Sequence, residues 1–383
     1  MNDNNTQYKV FLADIVTKST SFDVLQDRMT ELENLVETYG WVVILKKYQR
    51  KDTPDPNTYI GKGKFQEIMD EMQAAWANLL IIGNVLKSSQ IYKINEFLRP
   101  INAIARDRVD LILKIFDKHA QEWESKLQIE LASIKHMWPR IYGMGLELSR
   151  QWWGGSGGSG GSSGSRASRW QGETNTEIMK RHLRDKILKI EHKLKEYENM
   201  RKLHRESRKR KGLPTVGIVW YTNAGKSSIL NSLTNKWVLA ENKLFATLGT
   251  NVGKIWMMKD PEQWTGKEIL LNDTIWFIRD LPPKLIKAFS STLEDSIESD
   301  ILLHVIDAGD PFIHERIQVV NDVLNQIGAK QPRIMVFNKI DMIDDKIKTA
   351  LEEKYADEIR LRTSTYTWAW LDDIKQFLAD RLV

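Results

Sequence analysis

TVGIVWYTNAGKSS, residues 215–228, reads as a buried strand, a tight loop and the first turn of a helix. The loop matches the phosphate-binding pattern G-x-x-x-x-G-K-[ST] at every fixed position but the first, where Trp220 replaces glycine. In such a loop the backbone of Trp220, Tyr221, Thr222, Asn223, Ala224 and Gly225 aims N–H groups at phosphate oxygens. Lys226 then serves the β- and γ-phosphates, and Ser227 serves Mg²⁺. The helix that follows adds its N-terminal dipole to the anion site. The first glycine allows close backbone approach and unusual dihedrals, which a residue with a large side chain handles poorly. The stretch announces an α/β nucleotide-binding fold and carries a defect at its most demanding position.

Downstream, the runs ILLNDT, DILLHVIDA, PRIMVFNK and IRLRTS are mostly separated by helical segments, as in a doubly wound, mostly parallel sheet. Ligands of such sheets sit at the carboxyl ends of strands, and every motif here falls at one. Asn338-Lys339-Ile340-Asp341 ends PRIMVF. A carboxylate there can accept from both the ring N–H and the exocyclic amine of guanine, a pair adenine lacks. Polar matching of this kind discriminates by roughly 10⁴. It favours GTP over the ATP of other P-loop enzymes, although N-K-x-D is short enough to be a polar turn. Ser364-Thr365-Tyr366 follows the last strand, where a third loop backs the base. Asp273-Thr274-Ile275-Trp276 ends ILLN where D-x-x-G is expected, the Asp reaching Mg²⁺ through water and the glycine amide meeting the γ-phosphate. Tryptophan again stands in for glycine.

Upstream, residues 8–118 alternate β-type and helical patterns and suggest a small α/β unit, assigned to 1–118. Val42–Leu45 and Leu79–Ile82 read as strands, Phe65–Trp76 and Ser88–Leu98 as helices, and Arg108–Phe116 closes the set. Trp123, Leu127, Leu131, Ile134, Trp138 and Ile141 form one helical stripe, and Met179, Leu183, Ile187, Ile190, Leu194 and Tyr197 form another. Together they predict a long antiparallel helical hairpin over 119–212, whose core packing explains both stripes. Its tip, 151–174, is Gly/Ser-rich with Arg166 and Arg169, and is either an inert loop or a cationic probe that orders on a partner. Residues 213–383 form the nucleotide-binding domain.

The composition is that of a soluble globular protein, 42% apolar and 28% charged, without an apolar run of the ~18 residues a membrane helix needs. The polar N-terminus lacks a signal-peptide pattern, so a cytoplasmic protein is expected. The absence of Cys excludes disulfides and thiolate metal sites, and the seven His lack ligand spacing. A net charge of +5, concentrated in Arg201–Lys211, suits either a solvated helix end or an anionic partner such as RNA.

YTNAGKSS, KLFATL, DTIWFIRDLPPKLIKAF and FNKID resemble the G domain of the HflX family of translational GTPases. PDPNTYIGKGK (54–64), KLQIELASIKHMWPRI (126–141) and GETNTEIMKRHLRDKI (172–187) resemble its upstream segments, so the likeness covers nearly the whole chain in order. The resemblance implies GTP and GDP as ligands, and a nucleotide-contacting first switch at Phe245, Ala246, Thr247, Leu248 and Gly249, with Thr247 and Ser227 as Mg²⁺ ligands. Gly249 stands where the family usually has Asp. It implies the large ribosomal subunit as partner, in splitting, rescue or biogenesis under stress, with the Gly-rich tip reaching toward the peptidyl-transferase centre. Neither DNA nor a membrane is implied, and a monomer is the expected state. Gly61-Lys62-Gly63-Lys64 is either a turn opening a helix or a basic RNA contact. Some members carry a further domain after the G domain, which this chain is expected to lack. Phe277 stands where Ras-type enzymes place a water-orienting Gln, so slow intrinsic hydrolysis accelerated by a large partner is inferred. No catalytic residue is singled out.

Trp occurs 14 times, against 11 Phe and 10 Tyr. Trp220, Trp276, Trp368 and Trp370 fall on family glycine positions, while Trp152, Trp153 and Trp170 flank the Gly-rich tip. One explanation is a gene whose UGA codons specify Gly, rendered with UGA as Trp; UGG at both 220 and 276 excludes it. The alternatives are a true pseudo-GTPase, impaired in nucleotide binding, that acts as a ribosome- or RNA-binding module, and deliberate substitution of the glycines. Either way the chain as written is expected to keep its sheet while an indole at 220 crowds the triphosphate.

Overall fold

The computed structural model describes residues 8–120, 122–140, 165–222, 224–234, 252–260, 265–273, 277–288, 298–367 and 370–382. They belong to two compact units, Met1–Lys118 with Ile129–Lys193, and His119–Gln128 with Leu194–Val383.

The first unit is built on β1 (Lys9–Val16), β2 (Val42–Arg50), β3 (Leu79–Ile82) and β4 (Ile104–Asp107), all parallel, in the order β2-β1-β3-β4. The helices α1 (Phe22–Tyr39), α2 (Lys62–Ala74), α3 (Ser88–Leu98) and α4 (Arg108–His119) connect and cover them. β3 is buried throughout and β1 nearly so, as strands covered on both faces must be. Edge strand β2 alternates instead between half-buried and exposed residues. Phe11, Ile60, Phe65, Ile68, Met72 and Ile94 lie in one core cluster on this sheet. The hydroxyl of Ser21 caps α1 by accepting from Val24 N–H, and Gly40 ends it at φ +101°. Arg108–Phe116 is helical; the last strand lies just before it in Ile104–Asp107, too short to register as a period-2 pattern. β1 and α1 are further elements that the sequence pattern did not single out.

α5 (Trp123–Met137) and α6 (Ser165–Arg210) are the two stripe-bearing helices. Within the first unit Lys135 pairs with Glu191 at 2.9 Å and Lys186 with Glu130; within the second, Arg201 pairs with Glu124. Rising numbers on one helix meet falling numbers on the other, the antiparallel sense expected. Leu131, Ile134 and Ile190 are buried, but Trp123 is 74% exposed, with Lys126 over its ring. The buried face of α5 also takes in Ser125, Gln128, Ile129 and Ala132, and this rotation leaves Trp123 in solvent. α6 begins at Ser165, so residues 165–174 of the Gly-rich stretch are helical, where Ala, Arg and Gln replace the Gly-Ser repeat.

The second unit holds β5 (Thr215–Trp220), β6 (Val252–Asp260), β7 (Thr265–Asp273), β8 (Ile301–Asp307), β9 (Arg333–Asn338) and β10 (Arg360–Arg362), in the order β10-β9-β8-β5-β7-β6. Every pair is parallel except β6 with β7. The helices are α7 (Lys226–Leu233), α8 (Pro283–Ala288), α9 (Ile313–Ile327), α10 (Asp345–Lys354) and α11 (Leu371–Leu382). This is the doubly wound sheet of a P-loop G domain, with β5 in its interior and its core partly formed by Ile306, Ile313, Ile317, Met335, Phe337 and Leu351. β6, an antiparallel edge strand with Gly253 and Lys254 inside it, is the element the sequence pattern did not reveal. Among the described residues no helix is long and apolar enough to cross a membrane.

Candidate functional site

β5 pairs with β8 through Trp220, opposite Val305, so the tryptophan does not disturb the ladder. Just beyond it, Phe277 N–H donates to the Trp220 carbonyl at 3.0 Å, and Thr222 N–H donates to the Phe277 carbonyl at 3.2 Å. These bonds hold the chain at Phe277 against the phosphate loop. The Tyr221 hydroxyl adds to the clamp by accepting from Arg279 N–H at 3.0 Å. Phe277 is 1% exposed, a core residue and no candidate for orienting a water.

Gly225 closes the loop in the left-handed region at φ +88°, and a Cβ there would lie 2.3 Å from Asn338 Nδ2. Glycine is therefore required twice over, by dihedral and by space. The space is used by the buried Asn338, whose Nδ2 donates to the Ala224 carbonyl at 3.0 Å. Side chain and loop thus tie the end of β9 to the phosphate loop, although 114 residues separate them.

The loops expected to read the base are assembled in the same way. Lys339 adopts φ +62°, and its Nζ pairs with Asp307 Oδ2, at the end of β8, at 2.6 Å. Asp341 accepts from Ser364 Oγ at 2.5 Å, and Ser364, wholly buried, accepts in turn from Thr367 N–H at 3.1 Å. Thr363 N–H donates to the Phe337 carbonyl at 2.8 Å, which fixes that loop beside β9. Ile340 is buried as an anchor; Thr365 lies on the same loop, and Tyr366 is 86% exposed. Asp341 itself remains exposed, with one carboxylate oxygen engaged by serine.

The phosphate side differs. Trp220 is 4% exposed and Lys226 5% exposed, and the lysine ammonium sits 4.3 Å from the indole centroid. The indole face thus occupies the neighbourhood of the one side-chain cation that the loop offers to β- and γ-phosphates. Such a cation–π contact is worth about 0.5–2 kcal/mol, small beside a charge-assisted phosphate bond. The larger obstacle is the volume of the buried indole beside Lys226. Ser227 lies in the first turn of α7, and Asp273 ends β7 opposite Ile218. Serine and aspartate are oxygen-bearing residue types of the kind that suit Mg²⁺, a hard cation. Asn223, Phe245–Gly249 and Thr274–Trp276 lie outside the described residues.

Asp307, Arg316 and His304 were not expected. Asp307 ends DILLHVID, so the carboxyl-end rule could have found it. Arg316 pairs with Asp310 and lies over the Tyr221 ring at 5.0 Å, bracing the loop from α9. His304 is buried in β8, where desolvation and then the Arg333 charge push it down to about 3, so it is neutral. No sequence signal marks either residue.

Three family profiles match the chain: "GTP-binding GTPase N-terminal" over 26–117, "GTP-binding GTPase Middle Region" over 119–208, and "50S ribosome-binding GTPase" over 215–339. The GTPase HflX of Caldanaerobacter subterraneus is 42% identical over 83% of this chain and 70% of its own. That of Escherichia coli K12 is 35% identical over 92% and 79%. Among solved structures, the crystal structure of SsGBP in complex with GDP is similar at 25% identity and TM-score 0.51, covering 98% of this chain and 99% of that one.

Proposed function

The chain belongs to the HflX family of GTPases, and from that premise we propose that it binds GTP and GDP and hydrolyses GTP with Mg²⁺ on the large ribosomal subunit. The observation that carries the reading is the joining of three distant segments, Ala224 to Asn338 and Asp341 to Ser364, into one guanine-nucleotide cradle. Asn338 positions the loop, Asp341 reads the base edge, and Ser364 orients that carboxylate. Lys226 and the amino end of α7 meet the phosphates. Ser227, and Thr247 when triphosphate is bound, would hold Mg²⁺, with Asp273 reaching it through water. The metal would neutralise charge developing on the β- and γ-oxygens.

No described side chain stands ready to orient the attacking water, and Phe277 is buried, so turnover by the free protein is slow. The large subunit is the activating partner, in ribosome splitting, rescue or biogenesis under stress, in the cytoplasm. The hairpin tip and the basic Arg201–Lys211 segment are the RNA-facing parts. A second reading rests on Trp220 and Lys226: with the lysine held over a buried indole, the chain binds the ribosome but handles nucleotide poorly.

GTP turnover, measured with and without large subunits and with Mg²⁺ or chelator, tests the proposal. Stimulation by subunits that requires Mg²⁺ supports the GTPase. Co-sedimentation with subunits that ignores nucleotide, without turnover, supports the second reading. Absence of both turnover and co-sedimentation defeats both.

A further inference from the structure

A strongly charged cavity of the second unit opens at the end of β5 opposite the phosphate loop. It is a cleft of about 340 Å³ at the amino end of β5, bounded by the last turns of α6, by β7 and by the carboxyl end of α11. β5 runs from Thr215 at the cleft to Trp220 at the loop, about 16 Å at ~3.3 Å per residue. The mouth of the cleft and the phosphate loop thus lie at opposite ends of β5.

Five cations line it, Arg205, Arg208, Lys209, Lys267 and Arg381, against two carboxylates. Both carboxylates are committed. Asp300 accepts from the Thr215 N–H at 2.7 Å and hydroxyl at 3.2 Å, and Glu298 faces Lys209 at 3.8 Å. Among the described residues Lys267 and Arg381 have no carboxylate partner; Arg381 lies over the Phe377 ring at 5.1 Å. Helix α6 ends here, and its partial negative charge of about half a unit does not offset the cationic excess.

A second feature lies in the wall of the same cleft. Asn272, on β7, is 2% exposed and lines the cavity, yet among the described residues its buried Oδ1 has no hydrogen-bond partner. Leaving such a group unsatisfied costs about 1–3 kcal/mol. The same side chain also carries two N–H donors. An amide donor at the base of a cationic cleft suits an anion with several oxygens.

We infer that this cleft binds a small polyphosphate-bearing ligand, separate from the nucleotide held by the phosphate loop. Lys267 and Arg381 supply the charge, and Asn272 supplies the oriented donor. The volume, near the lower end of the roughly 300–1,000 Å³ of small-molecule sites, fits a short oligophosphate rather than a nucleic-acid strand.

Calorimetric titration of the full chain with inorganic tripolyphosphate tests this. A Lys226→Ala control removes binding through the phosphate loop, and Lys267→Ser with Arg381→Ser removes the cleft charges, with circular dichroism confirming that each folds. Saturable binding that survives Lys226→Ala and weakens about tenfold or more without the two cleft cations is expected. Binding lost with Lys226 and untouched by the cleft substitutions overturns the inference, and so does no binding at all. A parallel titration with single-stranded RNA that depends on Lys267 and Arg381, while tripolyphosphate does not bind, also overturns it and assigns the cleft to RNA.

Discussion

On the guanine side, Asn338, Asp341 and Ser364 are held by hydrogen bonds that link one motif to the next; on the phosphate side, Lys226 lies on the face of a buried indole. The two halves belong to one loop cluster and tolerate sequence change differently. Base reading depends on side chains, which a pattern such as N-K-x-D states outright. Phosphate binding depends on backbone N–H groups, so its requirement is for the absence of a side chain at position 220. A chain can carry the first intact while a single residue obstructs the second.

The largest effect that would break this comparison lies with Asp341. In a Trp220→Gly background, Asp341→Asn should abolish most of the preference for GDP over ADP, a change of roughly 10³ in the ratio of dissociation constants from competition titrations. An unchanged ratio would mean that the base is read elsewhere. Gly225→Ala comes next, because the added methyl meets Asn338 Nδ2 and the left-handed backbone at once. Nucleotide binding should fall about tenfold or more and stability by about 1–3 kcal/mol in denaturant unfolding. A variant as stable as the parent would contradict the tight packing of loop and Asn338. Ser364→Ala removes one bond to the Asp341 carboxylate and should weaken GDP about three- to tenfold, with GDP-to-ADP preference falling in parallel.

Two histidines outside both halves provide a smaller, pH-dependent check. Burial alone would lower His136, but hydrogen bonds and charge from Asp107 and Asp110 outweigh it and raise it to about 9, despite Arg140 beside it. Its folded-state value exceeds the unfolded ~6.5, so its stabilisation is complete below pH 6.5 and is lost as pH rises through 9. His304 works in the opposite sense. Held at about 3, it makes the unfolded chain the better proton acceptor between pH 6.5 and 3, so stability falls as pH falls through that window. Tm against pH should peak near neutrality; His136→Gln should flatten the alkaline limb and His304→Gln the acid one. Limbs unchanged by these substitutions would show that other groups set them.

Much of the second unit was legible because its strands are short apolar runs with a motif residue at the carboxyl end: Trp220, Asp273, Asn338 and the loop after Arg362. The pairing of β6 with β7 was not, since an antiparallel edge strand that contains Gly253 and Lys254 carries little periodic signal. Ile104–Asp107 was lost because four residues cannot display alternation. In the site, residue identities were readable and side-chain destinations were not. Nothing in the pattern says that Asn338 spends its amide on Ala224, or that Lys226 turns to Trp220. Such contacts arise from tertiary packing of segments far apart in sequence. The tryptophans at glycine positions were visible at once, and the codons for residues 220 and 276 decide whether they are misread UGA.

The central claim is that Trp220 alone separates a competent base-reading half from an obstructed phosphate half. GDP is the right probe, because it lacks the γ-phosphate that Trp276 would meet. Fluorescent-GDP titration of the chain and of Trp220→Gly, with guanosine alongside, measures it directly. The account expects GDP to bind about 100-fold more tightly or better after the substitution, the few kcal/mol of a relieved overpacked contact and a freed lysine, with guanosine affinity unchanged. Equal, tight GDP binding by both proteins would contradict it.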